Sequence, residues 1–311
     1  MDVGSAQPEY DRWLPFTHHK IIGFEPNEEE FNKIKSSENT LFYKIAVGSH
    51  SGKIPLYITG WWSNTSTLRP NIALIRRLAY QDEHWELVKT LEVPCATLDM
   101  ILNEGGMRSH PDFIKLDTQG SELAIIQAAP KTLESAFGVE VEVQFLPIYE
   151  EQALFEDVQC VMRGKGFQLM DLGNKLHVKG RNSTGMGGNK SNFISADALY
   201  FRSLDYIEEH MASWTPTRLE SWVGVCLAYG YDDYAFELCH IFKKRNHIPE
   251  HAEKIQSILL KPKALSCRQR IKRSRLAQYI GHKLYRLAKK IVVEDQYKES
   301  AHWFYGIGNR G

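Results

Sequence analysis

The chain has 311 residues, 43% of them hydrophobic and 24% charged, with 38 Lys/Arg against 38 Asp/Glu. That length exceeds one ordinary domain and the apolar content can fill a core, which excludes a disordered or fibrous chain. No apolar run reaches membrane-spanning length, and Cys95, Cys160, Cys226, Cys239 and Cys267 show neither a CxxC nor metal-like spacing, which points to reduced thiols in a cytoplasm. Net neutrality hides an asymmetry: residues 261–311 hold 13 Lys/Arg against Glu294, Asp295 and Glu299, a tail of +10 on a body of −10. A body of that sign does not suit nucleic acid, and no specific nucleic-acid partner is expected.

Met1 to Ser5 reads as the end of a strand and the turn after it, with the first residues of the strand absent. A truncated start is expected, and a longer chain should then be the more stable one. Tyr10 to Phe16 reads as a helical turn. Lys20 to Asn27 is a second strand ending in Glu25, with Pro26 to stop it and Asn27 to cap a helix over Glu28 to Ser36. Gly4 and Glu25 stand 21 residues apart, close to the roughly 20 that separate a nucleoside-contacting turn from the acid that takes ribose hydroxyls. A plain helix-dipole acid is the alternative for Glu25. Leu41 to Val47 is a third strand, Gly48 to Gly52 a turn, and Ile54 to Thr59 the returning strand of a hairpin. The loop Trp61 to Thr67 pairs two indoles with hydroxyls and can stack on a sugar or other flat substrate, although one of two adjacent Trp is more often a core anchor.

Glu86 to Val93 is another strand, and Thr97 to Leu102 a capped helix. The central stretch runs from Phe113 to Leu123: a buried strand ending in Asp117, a turn through Gln119 and Gly120, then a helix to Leu133. Asp117 is either the mouth of a site or a helix cap. Val139 to Phe145 puts its valines on one face and Glu140, Glu142 and Gln144 on the other. Burying those carboxylates costs several kcal/mol each unless something compensates, so a Lys115–Glu140 pair is expected deep in the sheet, with Asp117 and Glu142 near its edge. The charge of Lys115 argues for pairing rather than for a metal held by Asp117, Glu140 and Glu142. Phe145 to Tyr149 leaves the strand over its carboxyl end, where an acceptor enters.

Phe155 to Lys165 is a helix and Gly166 to Leu172 a strand. Asn174 to Asn192 reads as a lid-like excursion and Asp197 to Arg202 as the last strand. From Asp205 the pattern is helical: Thr217 to Tyr229, Asp232 to Arg245 and Glu250 to Leu260. Residues 261–290 then hold 11 Lys/Arg and no acid. Leu276, Ile280, Leu284, Leu287 and Ile291 stripe that segment, which suits an anionic membrane surface, a polyanion or a partner helix, or docking on the chain's own body.

These landmarks in this order resemble the FkbM-type S-adenosylmethionine-dependent methyltransferases. The matching segments are Asp2-Val3-Gly4, Gly23-Phe24-Glu25-Pro26-Asn27, Thr97-Leu98-Asp99, Phe113 to Leu123, Glu140-Val141-Glu142, Gly166-Phe167 and Ala196 to Tyr200. The resemblance implies an α/β fold, a doubly wound, mostly parallel seven-stranded Rossmann-like sheet over residues 1–204, with an all-helical accessory region over 205–311. It implies S-adenosyl-L-methionine as methyl donor and a hydroxyl of a sugar, glycan or related metabolite as acceptor, for a cytoplasmic protein or one peripheral at the inner membrane face. Carried over, Asp2 and Gly4 lie under the methionine moiety, Glu25 holds the ribose, and Ala46 and Val47 border the adenine. Asp117, Gln119 and Glu122 line the transfer site. Trp61, Trp62 and Tyr149 are further candidates for the acceptor. After Gly4 the usual small-residue turn is replaced by Ser5-Ala6-Gln7-Pro8-Glu9.

Methyl transfer needs a group to take the hydroxyl proton. Asp117 is the expected base, with Glu142 as its alternative or as the neighbour that raises its pKa; His50 and His110 are weaker candidates. Two other functions compete. A nicotinamide-dependent oxidoreductase would want a GxGxxG turn that is absent, and the Tyr279-xxx-Lys283 pair lies in the basic tail. A catalytically degenerate fold acting as a scaffold would fit the broken first strand.

Overall fold

The structure is a computed structural model that describes residues 1–5, 12–13, 19–104, 110–183, 191–210, 215–245 and 248–260. Met1–Leu259 form one compact unit. Residues 260–311 group separately and, Leu260 apart, lie outside the described residues, as does the basic helix expected over 261–291. The same holds for most of the turn expected over Tyr10 to Phe16, of which Arg12 and Trp13 are described.

The chain runs β1 (Asp2–Val3), β2 (Ile21–Phe24), α1 (Glu28–Phe31), β3 (Thr40–Tyr43), β4 (Ala46–Val47), β5 (Gly52–Thr59), α2 (Ile72–Ile75), β6 (Leu87–Ala96), α3 (Leu98–Glu104) and β7 (Phe113–Leu116). It continues through α4 (Glu122–Gln127), α5 (Pro130–Ser135), β8 (Gly138–Gln144), α6 (Phe155–Gly164), β9 (Phe167–Val178) and β10 (Asn192–Arg202), then α7 (Leu204–His210), α8 (Pro216–Ala228), α9 (Asp232–Lys244) and α10 (Pro249–Leu259). Seven strands form one sheet in the order β3-β2-β1-β7-β8-β10-β9. The first five are mutually parallel, and β10 is antiparallel to both of its neighbours. This is the doubly wound α/β sheet expected. β1 has two residues and lies between β2 and β7, where the strand order reverses, so ligands belong at the carboxyl ends of these strands.

Alternation along β7 and β8 assigns the two faces of the sheet. Ile114, Leu116, Val139, Val141 and Val143 are buried with Ile125, Ile126, Leu133 and Met162 from α4, α5 and α6. On the other face, Leu199 and Phe201 of β10 join Phe137 and the helices α7 to α10 through Trp222, Leu238 and Phe242, with the Phe137 and Trp222 rings stacked at 5.3 Å. Burying each such large side chain stabilises by about 1.5–3 kcal/mol. Thr97-Leu98-Asp99 is structural: Thr97 Oγ1 accepts from Met100 N, Leu98 is buried, and the Asp99 carboxylate caps α5 by accepting from Lys131 N, Thr132 N and Thr132 Oγ1.

Four expectations need correction. Leu41 to Val47 is not one strand: the chain bends at Lys44 and Ile45, leaving β3 on the large sheet and β4 parallel to β6 in a three-stranded sheet of order β4-β6-β5. β5 therefore makes its hairpin-like pairing with β6, whose backbone runs antiparallel to it from Gly52 to Thr59. The helix after Asn27 ends at Phe31, since the residues that follow bring no apolar face to bury. Most of the excursion expected from Asn174 to Asn192 is ordered: β9 reaches Val178, opposite Asn192 of β10, and Ala79 N donates to Lys179 O at 2.8 Å. Residues 184–190 of it lie outside the described residues.

Candidate active site

A cavity opens at the carboxyl ends of β1, β2 and β7. Its wall comprises Val3 and Gly4, then Phe24 to Asn27 with Glu30, then Ala46, Val47 and Leu56, then Trp62, Ser63, Thr65 and Thr67, and finally Lys115, Asp117, Thr118, Gln119 and Ser121. Gly4 makes the junction possible. Its φ is +90, and a Cβ there would lie 1.8 Å from the carbonyl oxygen of Asp117, so only glycine lets the β1 turn pass against the end of β7. Ser5 Oγ seals the turn by donating to Asp2 O at 2.7 Å and accepting from Phe24 N at 3.2 Å.

Glu25 is buried on this wall, and its Oε1 accepts from Asn27 N at 2.7 Å. Burial pushes its pKa up to about 7, against the pull of that N–H, and Glu30 and Asp2 push it further. Glu30, also buried, binds Lys33 Nζ at 2.6 Å.

Beyond β1, acids from neighbouring strands meet on one face. Asp197 of β10 is opposite Glu142 of β8 in the register. Asp117 follows β7 directly, and its Oδ2 accepts from Lys115 Nζ and its Oδ1 from Gln119 Nε2, both at 3.0 Å. Gln119 Nε2 also donates to Glu142 Oε2 at 2.7 Å. Burial, then Asp117, Glu122 and Asp197, raise Glu142 well above the usual carboxylate range, and Lys115 offsets this only in part. Asp197 is pushed up to about 6, by burial first and then by Glu140, while the hydrogen bond from Asn174 opposes the rise. Burial works against the charge on Lys115, but Asp117 and Asp2 outweigh it and hold the ammonium above its ordinary range. The expected Lys115–Glu140 ion pair is not formed. Those residues are opposite in the register, yet Lys115 turns to Asp117, and Glu140 pairs with Arg12 at 3.3 Å, a guanidinium lying over the Tyr229 ring.

The structure brings Gly4, Glu25, Ala46, Val47, Trp62, Asp117 and Gln119 onto one wall, and leaves seven other candidates off it. Asp2 is buried in β1 beside Lys115 in the register. Trp61 stacks on His84 at 4.9 Å. Glu122 is buried and folds back on its own turn, accepting from Thr118 N, Thr118 Oγ1 and Gly120 N; burial pushes it up to about 7 against those N–H groups. Glu142 lies behind Gln119, and Tyr149 is wholly buried with its hydroxyl 3.2 Å from Gln119 Oε1. His50 and His110 are exposed. Among the wall residues, Glu30, Leu56 and Lys115 were not expected there. Glu30 was hidden in an acidic first helical turn, and Leu56 and Lys115 reach the cavity only through strand pairing. Among the described residues no group of three or more His, Cys, Asp or Glu is arranged to hold a metal ion, and no helix is long and apolar enough to cross a membrane.

The wall fits a nucleoside donor at two points: the Glu25 carboxylate with Oε2 left to accept, and the apolar Ala46–Val47. Residues 2–169 match the profile of the methyltransferase FkbM domain. Among solved structures, the methyltransferase FkbM from Methylobacillus flagellatus KT is similar over 64% of this chain and 42% of its own, at 12% identity and a TM-score of 0.35. The chain thus spans less than half the length of that protein. None of the curated proteins is similar enough to count as a relative. With more than half of its length matched to the domain, the chain belongs to the FkbM methyltransferase family.

Proposed function

We propose that this protein is an S-adenosylmethionine-dependent O-methyltransferase whose acceptor is a hydroxyl of a sugar, glycan or related metabolite. The observation that carries the reading is the shared cavity wall, on which Gly4, Glu25, Ala46 and Val47 stand together with Asp117 and with Trp62, Ser63, Thr65 and Thr67 of the hydroxyl loop. When bound, S-adenosylmethionine supplies an electrophilic methyl group. Gly4 lines the cavity at the end of β1, Glu25 would accept from its ribose hydroxyls, and Ala46 and Val47 would flank its base. Asp117 stands where the acceptor hydroxyl would lose its proton; each of its oxygens holds one hydrogen bond and keeps a further lone pair. Trp62 offers a face to a sugar ring, and Ser63, Thr65 and Thr67 offer hydroxyls. Holding donor and acceptor in line is the larger part of the rate that such a site supplies.

Asp117 rather than Glu142 is the base, because Glu142 stands behind Gln119. The two-domain division at residue 204, a cytoplasmic location and peripheral membrane contact through residues 261–291 belong to the same proposal. Titration calorimetry with S-adenosylhomocysteine, followed by mass analysis of glycans incubated with S-adenosylmethionine, tests it. Binding and a 14 Da gain, the mass of one added CH₂, are expected. Absence of binding would leave the fold as a scaffold.

A further inference from the structure

Gln119 is held in a conformation it would not choose. Its φ is +59, in the left-handed region that costs a non-glycine residue of the order of 1 kcal/mol or more. Two residues absent from the cavity wall hold it there. Ser66, a buried residue of the hydroxyl loop, donates through Oγ to Gln119 O at 2.7 Å and accepts from Leu68 N at 2.9 Å. The Tyr149 hydroxyl lies 3.2 Å from both Gln119 Oε1 and Asn64 O, and its ring is packed near Trp85 at 5.8 Å.

The orientation of the amide follows from these partners. An amide nitrogen carries two protons, and here each faces a carboxyl oxygen, Asp117 Oδ1 at 3.0 Å and Glu142 Oε2 at 2.7 Å. Turning the amide over would set its carbonyl oxygen against both carboxyl groups and leave its nitrogen at Tyr149. The hydroxyl at Oε1 and the serine at the backbone carbonyl select the arrangement observed.

We propose that Tyr149 and Ser66 are positioning residues: they hold Gln119 so that its amide nitrogen is shared by Asp117 and Glu142, and thereby keep the Asp117 carboxylate at the cavity wall. The same bonds tie the hydroxyl loop to that carboxylate, since Ser66 and Asn64 belong to it. Tyr149, which the sequence suggests as an acceptor contact, acts instead from behind. The consequence for turnover rests on the methyltransferase reading; the consequence for the carboxyl groups does not.

The test uses the full chain with Tyr149→Phe, Ser66→Ala, Gln119→Ala and the Tyr149→Phe/Gln119→Ala double variant. Carbon-13 NMR follows the Glu142 carboxyl, whose charged and titratable neighbours are Lys115 on β7, Asp117 just after it, Asp197 on β10, Glu122 on α4 and Tyr149 itself. Tyr149→Phe removes one oxygen and keeps the ring. It should raise the Glu142 midpoint by about half a pH unit or more, because Gln119 Nε2, no longer fixed from its Oε1 side, donates less well to the ionised carboxylate. Where turnover is measured, it should lower kcat about tenfold with the affinity for S-adenosylhomocysteine unchanged. Neither effect should add to that of Gln119→Ala, since both act through one side chain. Ser66→Ala, which frees the backbone of Gln119, should move the Glu142 curve in the same direction. A wild-type Glu142 curve in both Tyr149→Phe and Ser66→Ala, or full additivity in the double variant, overturns the proposal. Failure of the wild-type protein to bind S-adenosylhomocysteine counts against the donor reading alone, and the Glu142 curves still decide the role of Tyr149.

Discussion

On the proposed function, the pKa of Glu25 should make donor binding pH-dependent. A buried carboxyl pushed up to about 7 is half protonated at neutral pH before any ligand arrives. The ribose hydroxyls need an acceptor, and Oε1 is already committed to Asn27 N, so Oε2 must be ionised to serve them well. The apparent dissociation constant then rises with the inverse of the ionised fraction: about twofold at pH 7, about elevenfold at pH 6 and about a hundredfold at pH 5, relative to pH 9. The last step corresponds to about 2.7 kcal/mol. Calorimetric titration of S-adenosylhomocysteine from pH 5 to 8, within the range where its own amine stays protonated, measures the slope. Glu25→Gln keeps the bond to Asn27 and removes the titration. It should bind about a hundredfold more weakly at pH 8, as the protonated carboxyl does, through loss of a charge-assisted hydrogen bond, and show no slope below it. Glu30 and Asp2 are the charged neighbours that could mimic the effect. An equal slope in the wild type and Glu25→Gln would assign it to them and refute the ribose role, as would a flat wild-type profile.

The same buried acids set the stability of the ligand-free protein. Glu25 and Glu122 titrate near 7 in the folded chain and near 4.5 as ordinary glutamates, so the folded state holds more protons between these values and loses stability as pH rises through them, by up to about 3 kcal/mol for each. Urea denaturation at pH 5, 6, 7 and 8 should show this fall, and a stability that climbs across the window would contradict it. Gly4→Ala must displace the carbonyl of Asp117 and adopt a φ of +90, so donor binding should be lost together with several degrees of melting temperature. Near-wild-type binding in that variant would show that β1 and β7 do not meet as described. Asp117→Asn should cut turnover by about a hundredfold or more while leaving the affinity for S-adenosylhomocysteine within a few-fold of the wild type. Unchanged turnover would remove Asp117 from the proton transfer.

Several features were legible before any coordinates because they are local. A strand's acid followed by proline and asparagine, as in Glu25-Pro26-Asn27, marks an end and a cap, and Asn27 does accept from Glu29 N. The helices of the last hundred described residues follow their apolar period closely, with α8, α9 and α10 each beginning and ending within one residue of the expected bounds. The alternation of Val139, Val141 and Val143 with Glu140 and Glu142 assigned the two faces of β8 correctly, since a side-chain period of two survives whatever the neighbours are.

By itself, then, most of the strands and helices, the two faces of β8, and the acids that follow β2 and β7 come from residue chemistry read along the chain. Which carboxylate each cation answers to did not follow. Lys115 has Asp117 and Glu140 both within its register, and an arginine more than a hundred residues away in sequence from Glu140 decides the matter. The pairing of β4 and β5 with β6, the close passage of Gly4 under Asp117, and the Ser66–Gln119–Tyr149 hydrogen bonds are likewise contacts between segments far apart in sequence. Periodicity reports which face a residue shows, but the partner on that face is chosen by packing and by the cost of burying an unmatched charge, and those are properties of the assembled fold.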